Sequence, residues 1–337
     1  MRIAVLGAGS WGTALAVVLS RAHHPHEVTL WVRNAEFAES LRRNRENALY
    51  LPGIALPSGL AFTHDLAAAV SPAEVVIGAV PSANTRQIFS QAARHLMESA
   101  IVVSATKGLE PSTHLRVSKV ITQVLTEQRG VNFPHPLAVL SGPSFAQEAA
   151  RGEPTAIVLA TVDASVGPSL QEAFAAPNFR VYTNSDVLGV ELAGAMKNVI
   201  AIAAGACQGL GVGTNALAAL ITRGLAEMTR LATKLGGKPE TLYGLAGLGD
   251  LVLTCTGALS RNRYVGFELG RGRSLVDILA GMRMVAEGVG TTAALLALAR
   301  EAQVELPITE QVNAILYQAK SPREAIRDIM ERPQRSE

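Results

Sequence analysis

Residues 191–205 read ELAGAMKNVIAIAAG, with one lysine, Lys197, set into small and apolar side chains. An ammonium group there loses hydration, so either its pKa falls or it finds a partner. The chain carries 24 arginines against six lysines among its 30 basic side chains. Arginine keeps its proton at neutral pH, whereas a desolvated lysine can give it up. Lys197 is therefore a candidate proton carrier; the plain alternative is a lysine snorkelling from its helix to water. Every histidine lies at or before His135. An acid or base supplied by the helix-rich part of the chain beyond about residue 185 cannot be histidine, which leaves lysine in front.

Other chemistry-bearing groups are scattered. Gly7-Ala8-Gly9-Ser10-Trp11-Gly12 follows a short apolar run and opens a helical one. In that arrangement Gly7 allows a tight turn, Gly9 lets the backbone approach a pyrophosphate, and Gly12 lets helix and strand pack closely. The helix start then offers free N–H groups to phosphate. Trp31-Val32-Arg33-Asn34 ends the next strand without the acidic residue that favours NAD. Arg33 can pair with a 2′-phosphate, or can be an exposed loop arginine. Lys107, at the end of a later strand, should face the ligand crevice of an open α/β sheet. The turn Ser141-Gly142-Pro143-Ser144-Phe145-Ala146 offers N–H groups and the Ser144 hydroxyl to substrate oxygens, or is a plain turn. Gly247-Leu248-Gly249-Asp250 places a carboxylate after a flexible turn. Ser260-Arg261-Asn262 combines a hydroxyl, a guanidinium suited to a bidentate phosphate contact, and an amide. Ser260 can equally be a helix N-cap.

These groups need a scaffold. The spacing predicts strands at Ile3–Leu6, Val28–Val32, Val75–Val80, Ile101–Ser104, Leu137–Leu140, Ala156–Ala160 and Arg180–Tyr182, with helices between them. Continuous apolar strands separated by helices indicate a parallel sheet covered on both faces. Beyond about residue 185 only helices are predicted: 187–208, 214–235, 262–270, 274–280, 291–303 and 308–318. The expected organisation is a Rossmann-type doubly wound domain over residues 1–184, then an all-helical domain over 185–337.

With 48% hydrophobic and 17% charged residues in 337, the chain is globular. A formal charge of +2 without a long basic run argues against nucleic acid. Cys207 and Cys255 stand alone, so no disulfide framework is expected and a cytoplasmic location is. The run around Lys197 is apolar enough for a membrane span, but Glu191, Lys197 and Asn198 argue against insertion. His23, His24 and His26 lack other ligands at metal spacing and read as a solvated loop, so no metal is expected.

Together the segments GAGSWGTALA, Leu51-Pro52-Gly53, ATKGLE, LSGPSFA, ELAGAMKNVIAIAAG, GLGDLVLTC, LSRNR and VAEGV resemble, in order, the bacterial NAD(P)-dependent glycerol-3-phosphate dehydrogenases. The resemblance implies a two-domain, 6-phosphogluconate-dehydrogenase-like fold. It also implies reversible reduction of dihydroxyacetone phosphate, a triose phosphate, to sn-glycerol 3-phosphate for phospholipid synthesis. NADPH or NADH would be the cofactor, since Asn34 stands where a second basic residue often follows Arg33. Lys197 would be the proton donor and acceptor. Lys107, Gly142, Ser144, Asp250, Ser260, Arg261 and Asn262 would contact substrate. Ser10, Trp11, Arg33, Tyr50, Lys107, Ala146, Arg261, Val285 and Glu287 would join the glycines at the cofactor. Burial, Lys107 and the cofactor ring would lower the pKa of Lys197, and Asp250 would orient it while pulling the other way. A β-hydroxyacid or 6-phosphogluconate-type dehydrogenase and a nucleotide-sensing regulator are the competing readings. The residues leave the assembly open, a homodimer included.

Overall fold

The computed structural model describes residues 1–130 and 135–333. Residues 334–337 of the expected helical domain lie outside the described residues. An eight-stranded sheet forms the N-terminal part, in the order β10-β9-β8-β7-β6-β1-β2-β5. Its strands are β1 (Arg2–Leu6), β2 (Glu27–Trp31), β5 (Ala61–Thr63), β6 (Val75–Gly78), β7 (Ile101–Ser104), β8 (Leu137–Ser141), β9 (Thr155–Ala160) and β10 (Phe179–Asn184). A two-stranded hairpin, β3 (Glu46–Asn47) and β4 (Leu51–Ala55), stands apart. Covering helices are α1 (Ser10–Leu19), α2 (Ala35–Asn44), α3 (Leu66–Val70), α4 (Thr85–Ala92), α5 (Val117–Arg129), α6 (Ala146–Arg151) and α7 (Val166–Phe174).

The expectation of a wholly parallel sheet needs one correction: β8 and β9 pair antiparallel, Leu140 opposite Leu159. The six-residue α6 between them spans only about 9 Å, too short to carry the chain back over the sheet for a parallel crossover. The strand order reverses beside β1, which pairs with β2 on one side and β6 on the other. Ligands of open α/β sheets bind outside the strand ends at such a switch point. Here that point joins the Gly7 loop to Ala79-Val80-Pro81.

From Asp186 onward the described chain is helical: α8 (Val187–Gly209), α9 (Thr214–Lys234), α10 (Pro239–Tyr243), α11 (Asp250–Thr256), α12 (Arg261–Gly270), α13 (Leu275–Ala280), α14 (Glu287–Glu301), α15 (Pro307–Tyr317) and α16 (Pro322–Met330). α8 is the hub, and Asp186 caps it by accepting from Gly189 N at 2.8 Å. It is long and apolar enough to cross a membrane, yet 83% of its apolar window is buried by neighbouring helices. A core helix surrounded on all sides reads as apolar all round.

Glycines set how closely those neighbours approach. A Cβ at Gly205 would stand 2.0 Å from Arg263 O, and one at Gly266 would stand 1.9 Å from Ile202 O. α8 and α12 therefore touch backbone to backbone, which draws the start of α12 toward Lys197. Leu245–Gly249 forms a π-helical turn leading into α11, not the flexible turn expected there. Its glycine serves packing, because a Cβ at Gly247 would lie 2.0 Å from Leu242 O. α14 starts at Glu287, four residues before the expected position 291, so Glu287 sits in its first turn.

Candidate active site

A cleft of about 720 Å³ runs from the Gly7 loop to the lysines, lined from both parts of the chain. At the nucleotide end Gly7 has φ +112°, and a Cβ there would meet Ala79 O at 2.8 Å. Gly12 is needed for packing, since its Cβ would lie 1.9 Å from Gly7 O. At Gly9 a Cβ would meet nothing within 4 Å, and Gly9 lines the cleft. α1 has no side-chain N-cap, so its first N–H groups are left to a ligand. An open cradle of backbone donors fits the pyrophosphate of a dinucleotide.

Other expected cofactor residues surround that cradle. Ser10 Oγ donates to Tyr50 O at 2.6 Å and touches Met284 Sδ at 2.9 Å, joining the two parts of the chain. The hairpin bearing Tyr50 is anchored by buried Asn47, whose Nδ2 donates to Ala8 O (3.0 Å) and Thr13 Oγ1 (2.8 Å). Trp11, Ala146 and Val285 line the cleft, and Arg33 stands exposed at its rim. Asn34 caps α2, accepting from Phe37 N at 2.7 Å. Glu287 accepts from Ser82 N (3.1 Å) and Ser82 Oγ (2.6 Å), and burial raises its pKa against those donors.

At the other end two lysines share one carboxylate. Lys197 Nζ donates to Asp250 Oδ1 at 2.8 Å, and Lys107 Nζ donates to Asp250 Oδ2 at 2.7 Å. Asp250 is 1% exposed. Burial alone would raise its pKa, but the two ammonium groups overcome that and hold it down. Lys197, 7% exposed, has its pKa lowered to about 8, chiefly by burial and further by Lys107, with Asp250 opposing. The small residues before it create the pairing: a Cβ at Gly194 would lie 2.8 Å from Ser141 Oγ and 3.5 Å from Lys107 Cγ.

The two ammonium groups differ in what they have left to give. Lys107 donates to Gly142 O (2.7 Å) and Asp250, with Ser144 Oγ at 3.4 Å, so its donors are all directed at protein. Lys197 donates to Asp250 and to Thr254 Oγ1 at 2.8 Å. The Thr254 hydroxyl spends its own proton on Asp250 O at 2.6 Å, which leaves a lone pair for the lysine. One N–H of Lys197 remains, and Lys197 lines the cleft. With a pKa near 8 that group can deliver or take a proton close to neutral pH.

Ser260, Arg261 and Asn262 also line the cleft. Arg261 has no hydrogen bond or ion pair among the described residues, and burial lowers its pKa with Glu287 nearby. Ser260 Oγ accepts from Arg263 N at 3.2 Å, making it the α12 N-cap, and it also lines the cleft. The N-cap reading of Ser260 is the one its hydrogen bond shows. Asn262 lines the cleft while its amide is engaged by Asn198 and Gly288.

Fifteen of the expected site residues thus face one cavity, whereas Gly12, Gly142 and Asp250 stand behind it. Gly142 and Asp250 hold lysines in place and are not exposed to a substrate. Asn47, Ser82, Asn198 and Thr254 were absent from the sequence expectations. Thr254, four residues after Asp250, shares its helix face, and that spacing is the signal that could have found it. Cys255 is fully buried, and burial pushes its thiol up to about 12, so no nucleophile is available there.

Comparison with known proteins adds an independent line. Residues 2–166 match the family described as NAD-dependent glycerol-3-phosphate dehydrogenase N-terminus, and residues 186–327 match its C-terminus. The chain is 54% identical over its full length to a protein of Koribacter versatilis named glycerol-3-phosphate dehydrogenase [NAD(P)+], covering 98% of that protein. It is equally 54% identical to the protein of that name from Acidobacterium capsulatum, covering 99% of it. The crystal structure of glycerol-3-phosphate dehydrogenase from Coxiella burnetii superposes with a TM-score of 0.92 at 40% identity, covering 98% of this chain and 99% of that one.

Proposed function

The chain belongs to the NAD-dependent glycerol-3-phosphate dehydrogenase family, and from that premise we propose how its residues divide the work. It is an oxidoreductase that reversibly reduces dihydroxyacetone phosphate to glycerol 3-phosphate with NADH or NADPH. When bound, the cofactor supplies hydride to the carbonyl carbon. Lys197, with its remaining N–H in the cleft, gives a proton to the carbonyl oxygen as that carbon accepts the hydride. In reverse, neutral Lys197 takes the proton from the alcohol. This unspent donor on a lysine of lowered pKa is the observation that carries the reading.

Lys107 stays as a fixed charge beside the reacting oxygen, and Asp250 holds both ammonium groups at a set distance. Arg261, supported by Ser260 and Asn262, binds the phosphate. The Gly7–Gly12 loop and the start of α1 bind the pyrophosphate. Residues 1–184 form the nucleotide unit and 185–337 the substrate unit. The same proposal includes a cytoplasmic location, supported by two buried free cysteines. It also includes a homodimer, supported by the exposed apolar Tyr243, Leu248 and Val252 on the helical part.

The test is turnover: NADH and NADPH oxidation with dihydroxyacetone phosphate against a panel of 2- and 3-keto acids. Dihydroxyacetone phosphate should be preferred by at least about 100-fold in kcat/KM, because only it satisfies the half-buried Arg261. A keto acid turned over faster would overturn the assignment. The supply of glycerol 3-phosphate to phospholipid synthesis follows from the product.

A further inference from the structure

A buried relay of amides connects the two sides of the site. Gly288 N donates to Asn262 Oδ1 at 2.9 Å. Asn262 Nδ2 donates to Asn198 Oδ1 at 2.8 Å. Asn198 Nδ2 donates to Lys107 O at 3.2 Å and reaches Gly194 O at 3.4 Å. The chain starts at a backbone N–H, which only donates, and ends at carbonyls, which only accept. Its direction is therefore fixed, and so is the orientation of both amide groups. Both asparagines are buried, and the relay excludes side chains from its start: a Cβ at Gly288 would lie 2.7 Å from Asn198 O and 2.9 Å from Asn262 Oδ1.

Both asparagines line the cleft, Asn262 with Arg261 at its side, but Asn198 Nδ2 directs both of its hydrogens at the backbone carbonyls of Lys107 and Gly194. Asn262 Nδ2 has two hydrogens, one given to Asn198. The other is free for an anionic oxygen. We propose that Asn198, which nothing above assigns to substrate, is a positioning residue for phosphate recognition: by accepting from Asn262 it fixes the amide plane that presents this hydrogen. The inference rests on the phosphate reading of Arg261 and Asn262.

A structural polar pair and a positioning residue predict different kinetics. Replacing Asn198 by Ala removes the acceptor and lets the Asn262 amide rotate. For Asn198→Ala, kcat/KM for dihydroxyacetone phosphate should fall about 30-fold, mainly through KM. For dihydroxyacetone, which has no phosphate, the loss should stay within about 3-fold, and the pH profile of kcat should not move. Asn198→Ala/Asn262→Ala should be no worse than Asn262→Ala alone, because both remove the same interaction. Equal losses on the two substrates, a displaced pH profile, or additive losses in the double variant would each overturn the role. If Asn198→Ala does not fold, Asn198→Ser, too short to reach Asn262, carries the same comparison. Arg261→Ala separates the premise from the inference: an unchanged KM for dihydroxyacetone phosphate there removes the phosphate site itself.

Discussion

The two ends of the cleft are made of different materials. At the nucleotide end the working groups are backbone: a glycine at φ +112°, a glycine with open space, and an uncapped helix start. At the chemical end they are side chains converging from β7, α8 and α11, with Lys107 and Asp250 separated by 143 positions in the chain. A backbone cradle is written in consecutive residues and forms wherever a strand feeds a helix. A side-chain cluster exists only once two domains have packed. Substitutions should therefore act on shape at one end and on charge at the other.

The largest effect is expected at the charge end. Lys197→Ala should lower kcat by about 10³-fold or more while NADH binding stays within about 3-fold. Lys197→Arg should be nearly as poor, since a guanidinium does not release its proton near neutral pH. Steady-state kinetics with parallel fluorescence titration of NADH checks both. An active arginine variant would mean that the site needs only a cation.

At the shape end two glycines five-sixths of a turn apart should behave oppositely. Gly12→Ala forces a Cβ to within 1.9 Å of Gly7 O. Backbone cannot yield as a side chain does, so thermal unfolding should report a loss of about 3 kcal/mol or more. Gly9→Ala meets nothing in the protein. It should leave the melting temperature unchanged and weaken NADH about 10-fold by occupying the ligand's space. Equal destabilisation by both would mean that Gly9 also serves packing.

This contrast explains which parts of the molecule could be read in advance. The glycine loop, strands β1, β2, β6 and β7, and helices α8, α9, α12, α13 and α15 rest on local pattern, and their expected positions match the structure to within a few residues; β3 and β5 are too short to announce themselves, and β4 and α11 were not expected. Lys197 could be picked out because a lone charge among small residues has few structural uses. Its partners could not be derived by position. Nothing near Lys107 announces that its ammonium group is already committed to Gly142 O and Asp250. Asn198 and Thr254 look like ordinary polar residues on helices until α8, α11 and α12 pack. The antiparallel turn to β9 went unread because the length of the short helix, not strand composition, decides it.

Asp250→Asn tests the electrostatic half. With Lys197 near 8, oxidation of glycerol 3-phosphate needs the neutral amine and should rise with pH to a plateau above about 8. Reduction needs the ammonium group and should fall over the same range. Asp250 favours the charged lysine, so removing its charge should move both midpoints to lower pH. Rates should drop about 10-fold from lost orientation. Midpoints that stay in place would show that burial alone sets the lysine.

Arg33 carries the smallest expected effect and the sharpest limit on the contrast. It is a side chain at the backbone end, exposed and without a hydrogen bond or ion pair among the described residues. Asn34 beside it spends its side-chain oxygen on the α2 cap and carries no charge, so Arg33 is the cation of this pair that can meet a 2′-phosphate. An exposed charge contact contributes about 1 kcal/mol. Arg33→Ala should therefore weaken NADPH by roughly 5-fold to 10-fold and leave NADH within about 2-fold, because the pyrophosphate is still held by backbone. The NADPH loss should shrink as salt rises, since the contact is open to solvent. Equal losses for both cofactors would move Arg33 from selecting the ribose to stacking on the adenine, a surface the two share.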